Sequence, residues 1–333
     1  MILVTGGTGL VGAHLLVQLT QNKEKIRAIH RKTSDLKAVE RVFSYYFDDI
    51  TPYFSRIEWL EVDIIDTTSL KKAFENVSEV YHAAALISFN PKEYDKMRKA
   101  NIEGTANIVN FSIAAGVKKL CHVSSIATIG KSLDNQVIDE LAEWNIDNSN
   151  YEYAITKQGA EMEVWRGTQE GLDAVIVNPG IIFGEGFWNT GTGKIFSKTH
   201  KGMKFYTEGV SGYIDVKDVV KTMIYLMHSQ IKNERYILVS ENRSVKSIFT
   251  QIAKSFGKKP PTIKISKFAS EIAWRVAVVV SKITRMSLLL TKSSAKSIHN
   301  KYNFSSAKIL KEIDFEFISI DKTIQRVCLF FKK

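Results

Sequence analysis

The chain has 333 residues, 44% hydrophobic and 24% charged, which suits one or two globular domains and excludes a low-complexity polymer. Two cysteines, Cys121 and Cys328, cannot build a disulfide framework, and seven scattered histidines without ligand spacing give no metal site to expect. The net charge of +11 is lopsided: from Arg243 to Lys333 there are 19 Lys and Arg against 5 Asp and Glu, so this part either meets something anionic or presents a solvated basic face.

Residues 1–5 are an apolar run, followed at once by Gly6-Gly7-Thr8-Gly9-Leu10-Val11-Gly12 and a helix-like stretch over 13–19. A buried parallel strand reads as a continuous hydrophobic run, so the order is strand, glycine turn, helix. Gly6, Gly9 and Gly12 let the backbone turn sharply and approach a ligand closely. With Thr8, Leu10 and Val11 they leave N–H groups at a helix N-terminus, where a dinucleotide pyrophosphate is favoured. The strand starts the sequence, so no targeting segment is expected.

The second strand, 26–29, runs into His30-Arg31-Lys32. An acid at this tip would bind the ribose 2′-hydroxyl of NAD, whereas a cation accommodates the 2′-phosphate of NADP. Arg31 and Lys32 therefore favour NADP(H), with NAD(H) as the alternative; exposed strand-end cations are the bland reading. Residues 36–56, with the aromatic stretch 42–47, read as a helix and a loop without assigned chemistry. A third strand over 57–64 brings Asp63 to meet an adenine amino group, with Ile64 flanking the ring and Asp66 as the better cap for the following helix.

The fourth strand, 79–82, leads into Ala83-Ala84-Ala85, small enough for close approach to a cofactor, and His82 reads as a packed strand residue. Asn101, on a helix, either braces backbone near the cofactor or caps a turn. The fifth strand, 118–123, ends with Val123 beside Ser124-Ser125. A helix then opens at Tyr151, placing Tyr153 and Lys157 four apart on one face. A free tyrosine has a pKa near ~10; a neighbouring ammonium lowers it, and the hydroxyl can then exchange a proton with a carbonyl or alcohol oxygen. Tyr151 is a rival for the role but has no lysine at 155.

Together with His82-Ala83-Ala84-Ala85, Asn101-Ile102-Glu103-Gly104-Thr105, the run from Asn178 to Gly184 and the run from Gly212 to Val219, these motifs resemble the extended short-chain dehydrogenase/reductase family. That family contains the NAD-dependent epimerases and dehydratases, and the likeness spans residues 1–255. It implies an α/β fold: a Rossmann-type doubly wound parallel sheet with a smaller, mostly C-terminal α/β substrate lobe. The NADP-binding domain would be 1–180, with 210–240 returning to it, and the lobe 181–209 and 241–333. The resemblance also implies a catalytic triad of Ser125, Tyr153 and Lys157, with Ser124 as runner-up for the serine. Pro179, Gly180, Ile181 and Ile182 would line the nicotinamide, and Asp215 and Asp218 would be structural.

Two departures narrow the branch. Ile126-Ala127-Thr128 lacks the acid pair that sugar-nucleotide 4,6-dehydratases carry after the serine, and Arg31-Lys32 argue against the tightly bound NAD of 4-epimerases. What remains resembles the dihydroflavonol 4-reductase and 3β-hydroxysteroid dehydrogenase branch, implying NADP(H)-linked reduction of a ketone or aldehyde. The alternatives are a nucleotide-sugar epimerase and a non-enzymatic NADP(H)-binding module. The expected partner is a small apolar or anionic substrate, in a cytoplasmic homodimer formed through the Tyr153 helix. Nucleic acid is not expected, because the cations are evenly spread and aromatics do not interleave with them.

Residues 262–291 are rich in Ala, Val, Ile and Leu, interrupted by Glu271, Arg275, Lys282 and Arg285, so no run reaches the ~20 residues of a membrane span. Helices packed into the substrate lobe are expected here, with docking on anionic lipid as the alternative. Residues 302–310 resemble the family's closing segment.

Overall fold

Side chains in the first strand, β1 (Ile2–Thr5), alternate between two cores: Ile2 and Val4 enter one, Leu3 the other. This is the period of two that a sheet covered on both faces requires. The computed structural model describes residues 1–22, 25–88, 90–130, 137–145, 151–284, 295 and 297–332. β2 (Ile26–His30), β3 (Ile57–Glu61), β4 (Glu79–His82), β5 (Lys119–Val123) and β6 (Ala174–Pro179) join β1, and β10 (Glu234–Leu238) closes the edge. The seven strands are all parallel, in the order β10-β6-β5-β4-β1-β2-β3. The order reverses between β1 and β4, and ligands of such sheets gather at that crevice, beyond the strands' carboxyl ends.

The first helix (Leu10–Gln21) covers one face with Leu15, Leu16 and Leu19, beside Val219, Val220 and Met223 of the helix Val216–His228. The helix Gly104–Ala114 covers the other face through Ile108 and Val109, with Val164 of the Tyr153 helix (Glu152–Gln169). The aromatic stretch turns out to be packing: Phe43 is buried in the first core, and Phe47 stacks on Tyr53 at 3.6 Å.

A small sheet holds β7 (Ile181–Phe183), β9 (Val210–Asp215) and β11 (Glu241–Ser244), in the order β11-β9-β7, while β8 (Phe205–Tyr206) pairs with β12 (Ile263–Lys264). Within 210–240, β10 and the helix Val216–His228 join the large sheet and its cover, whereas β9 belongs to the small one. The C-terminal helix (Ile320–Phe331) packs Ile320, Ile324 and Val327 against Phe183, Phe196 and Tyr213.

The 262–291 stretch departs from the expected core packing. Its helix, Lys267–Thr284, leaves Phe268, Ile272 and Val276 exposed. Arg285 and Leu288-Leu289-Leu290 lie outside the described residues. Among the described residues no helix is long and apolar enough to cross a membrane.

Candidate active site

The glycine turn sits at the carboxyl end of β1 and is too tight for side chains at two positions. Gly6 has φ +70°, and a Cβ there would lie 2.6 Å from the Ala83 carbonyl carbon and the Ala84 nitrogen. A Cβ on Gly12 would lie 2.2 Å from the Gly6 oxygen. Gly9 is the N-cap of the first helix, so the N–H groups of its opening turn, Leu10 and Val11 included, face out past Thr8. This cradle, which a Cβ would fill, fits the pyrophosphate of a dinucleotide.

Ala83, Ala84 and Ala85 are held against the turn from two sides. The Ala84 N–H donates to Thr5 Oγ1, and Thr5 Oγ1 also meets His82 Nδ1 at 2.7 Å. His82 is fully buried, bonds Thr105 through Nε2, and is pulled down to about 3 by burial. A histidine so held is packing, as read from the sequence. From the other side, a single π-helical turn, Lys99–Glu103, swings Asn101 inward. Its amide clamps both backbone groups of Leu86 and donates to Thr156 Oγ1 on the Tyr153 helix. Asn101 thus braces the strand-tip loop.

At the far end of the crevice, Arg31 and Lys32 are exposed beyond β2, and neither makes an ion pair among the described residues. Asp63 is exposed, with its carboxylate accepting from the Ile65 N–H. The Ile64 side chain is buried in the second core, filling the space over Gly104. Asp66 caps the next helix by accepting from Thr68 N.

Across the crevice, Tyr153 is buried, with its hydroxyl hydrogen-bonded to Ser125. Ser125 itself accepts from Ala127 N, which fixes its rotamer at the end of β5. Lys157 Nζ donates to the Val123 carbonyl at 2.8 Å and lies 3.4 Å from His122 Nε2. Burial pushes the Tyr153 hydroxyl up to about 12, opposed by the Ser125 hydrogen bond, while burial pulls Lys157 down to about 8. The ammonium thus steadies the end of β5.

Ser124 is differently engaged. Its hydroxyl donates to Glu161 Oε2 at 2.6 Å, in a buried cluster that Thr128, Asn178 and Arg235 complete around the same carboxylate. Ser125 is therefore the serine that faces Tyr153. Sequence reasoning missed Glu161, although it lies one turn beyond Lys157 on the same helix face. Tyr151 stacks on Tyr153, and burial raises its hydroxyl. Beyond β6, Gly180 donates its N–H to Leu238 O, and a Cβ there would lie 2.5 Å from Gly212 O. That contact fixes the path of Pro179, Gly180, Ile181 and Ile182 along the crevice, with both isoleucines half-buried. Among the described residues no cluster of His, Cys, Asp or Glu could hold a metal ion.

A family model described as the NAD dependent epimerase/dehydratase family matches residues 2–238. Sterol demethylase protein B of Methylococcus capsulatus is 28% identical over 79% of this chain and 76% of its own length. Cinnamoyl-CoA reductase 1 of Petunia hybrida is 24% identical over 80% of each chain. The crystal structure of gox2253 superimposes with a TM-score of 0.82 at 26% identity, covering 100% of this chain and 98% of its own.

Proposed function

Since the chain belongs to the NAD-dependent epimerase/dehydratase family, whose members are NAD(P)-dependent enzymes, we propose that it reduces a ketone or aldehyde to an alcohol with NADPH. The observation that carries this reading is the Ser125–Tyr153 hydrogen bond at the carboxyl edge of the sheet, with Lys157 one helical turn further on. When bound, the nicotinamide dinucleotide supplies the hydride. The turn from Gly6 to Gly12, with Thr8, Leu10 and Val11, holds its pyrophosphate, and Arg31 and Lys32 take its 2′-phosphate. Asp63, the alanines 83–85 and the stretch from Pro179 to Ile182 flank its two ends.

Ser125 orients the substrate oxygen, and Tyr153 gives that oxygen its proton as the carbonyl carbon is reduced. A tyrosine raised to about 12 is fully protonated at neutral pH, which suits it as the acid of the reductive direction. Lys157 holds the nicotinamide ribose and replenishes the proton. A substrate that is partly apolar agrees with relatives named for sterol and cinnamoyl chemistry.

The test is NADPH and NADH oxidation by the purified protein over a panel of ketones and aldehydes. The expected result is NADPH-linked turnover that falls about 10²–10⁴-fold in Tyr153→Phe. Arg31→Ala should raise KM for NADPH about tenfold and leave KM for NADH unchanged, as loss of one charge-assisted contact would. Redox-neutral turnover of a nucleotide sugar with retained NAD would overturn the reading in favour of an epimerase. NADPH binding without turnover of any substrate would make the protein a binding module.

A further inference from the structure

The helix Lys267–Thr284 is built inside out. The face it turns to the protein carries Ser270, 2% exposed and bonded to His299, with Glu271 and Trp274 bonded to each other. The face it turns to solvent carries Phe268, Ile272 and Val276, which are 75%, 48% and 55% exposed. Spaced four apart, these three form one stripe, and Ala269 and Ala273 beside them are exposed too. A surface helix ordinarily does the reverse. A second apolar pair, Phe205 and Ile263, sits side by side on β8 and β12 just ahead of the helix, also exposed. Exposed apolar surface of this kind marks an interaction site.

The charge around the stripe says what kind. Among the described side chains from Lys258 to Ala277 there are five cations, Lys258, Lys259, Lys264, Lys267 and Arg275, and a single acid, Glu271. Lys264 pairs with Glu208, and Arg275 with Glu271, while Lys258, Lys259 and Lys267 make no ion pair among the described residues. A symmetric contact with a second copy would set these cations against themselves, because the same patch faces itself across a two-fold axis. A nucleic acid would gain little from the stripe, whose single aromatic, Phe268, is no stacking platform. An anionic bilayer satisfies both features: the apolar side chains enter the headgroup boundary and the lysines meet lipid phosphates. We propose that the helix Lys267–Thr284 docks this protein on anionic membrane surfaces through Phe268, Ile272 and Val276. The helix lies beyond the residues that the family model matches and is independent of the reaction catalysed.

The full-length protein is to be sedimented with vesicles of phosphatidylcholine alone and of phosphatidylcholine with phosphatidylglycerol, in dilute and concentrated NaCl. The expected result is binding to the anionic vesicles at least about tenfold tighter than to the neutral ones, weakened by salt. Phe268→Asp/Ile272→Asp should abolish binding, and Phe268→Leu should keep it. Lys258→Glu/Lys259→Glu should weaken it about tenfold. Unchanged circular dichroism and thermal melting establish that each variant is folded, and Val276→Asp serves if the double variant is not. Equal binding to both vesicles, no binding to either, or undiminished binding by a folded Asp variant would overturn the proposal. So would an oligomer that the Asp variant splits in a protein that ignores vesicles, because the stripe would then be a subunit interface.

Discussion

Ser124 and Ser125 are chemically identical neighbours whose surroundings assign them different work. Ser124 supplies one of the hydrogen bonds that make a fully buried Glu161 carboxylate tolerable. Removing that hydroxyl leaves a buried acceptor short of a donor, at a cost of about 1–3 kcal/mol. Ser125 spends its hydroxyl on Tyr153 and on the Ala127 N–H, at the mouth of the crevice. Ser125→Ala should therefore lower kcat by about 10²–10³, the loss typical of one oriented donor at a reacting oxygen, and leave thermal stability nearly unchanged. Ser124→Ala should do the reverse, melting early while the folded enzyme keeps most of its kcat. Thermal melts and steady-state kinetics on both variants decide it; the opposite pattern would exchange their roles.

Helix ends and strand ends fasten the C-terminal segment to the sheet. Asp215 caps the helix Val216–His228, and one turn in, Asp218 accepts from the Ile318 N–H at 2.7 Å. Burial raises the Asp218 carboxyl to about 7; the Ile318 hydrogen bond, Arg326 and Lys221 pull it down, and Asp215 pushes it up. A carboxyl whose folded pKa exceeds its unfolded value of ~4 binds more protons when folded. Its contribution is thus full below the unfolded pKa and is lost as pH rises through about 7. Melting temperature should fall between about pH 4 and pH 7 through this group. Asp218→Asn, whose amide oxygen still accepts from Ile318, should remove that part of the slope and melt higher than the parent at the alkaline end. An unchanged slope would show that Asp218 is ionised throughout.

Such long-range ties explain what the sequence left hidden. β1 was legible because a doubly buried parallel strand is an unbroken apolar run, β2 and β4 because short apolar stretches end there in polar strand tips, and the Tyr153–Lys157 spacing because helix faces repeat locally. The third strand was read three residues too long, because Val62 still donates to His30 after the strand proper has ended. The choice of Ser125 over Ser124 depends on Glu161, 37 residues away from Ser124, and no spacing rule reports it. The contact of Ile64 with Gly104 is hidden in the same way, because the space over Gly104 exists only once helix and sheet have packed.

At the scale of the whole molecule, the family match ends at 238 but the folded unit does not. Ile309 and Ile313 belong to the same core as β1, and the C-terminal helix supplies Ile320, Ile324, Val327 and Cys328 to the core under the small sheet. That helix also carries Arg326, whose guanidinium reaches Asp215 at 2.7 Å and Glu185 at 3.2 Å. Both carboxylates are essentially without solvent, at 0% exposure. Loss of one partner from a buried ion pair leaves an uncompensated charge and costs about 3–5 kcal/mol, a large share of the ~5–15 kcal/mol that holds a typical domain together. Arg326→Met should accordingly lower the denaturation midpoint steeply, and Arg326→Lys should recover part of the loss. Residues 1–238 expressed alone lack the guanidinium and both apolar contributions. That fragment should be insoluble, or should bind a hydrophobic dye and unfold without a cooperative transition. A soluble fragment with a sharp melt would mean that the dinucleotide-binding sheet is self-sufficient and that the C-terminal helix serves the substrate side alone.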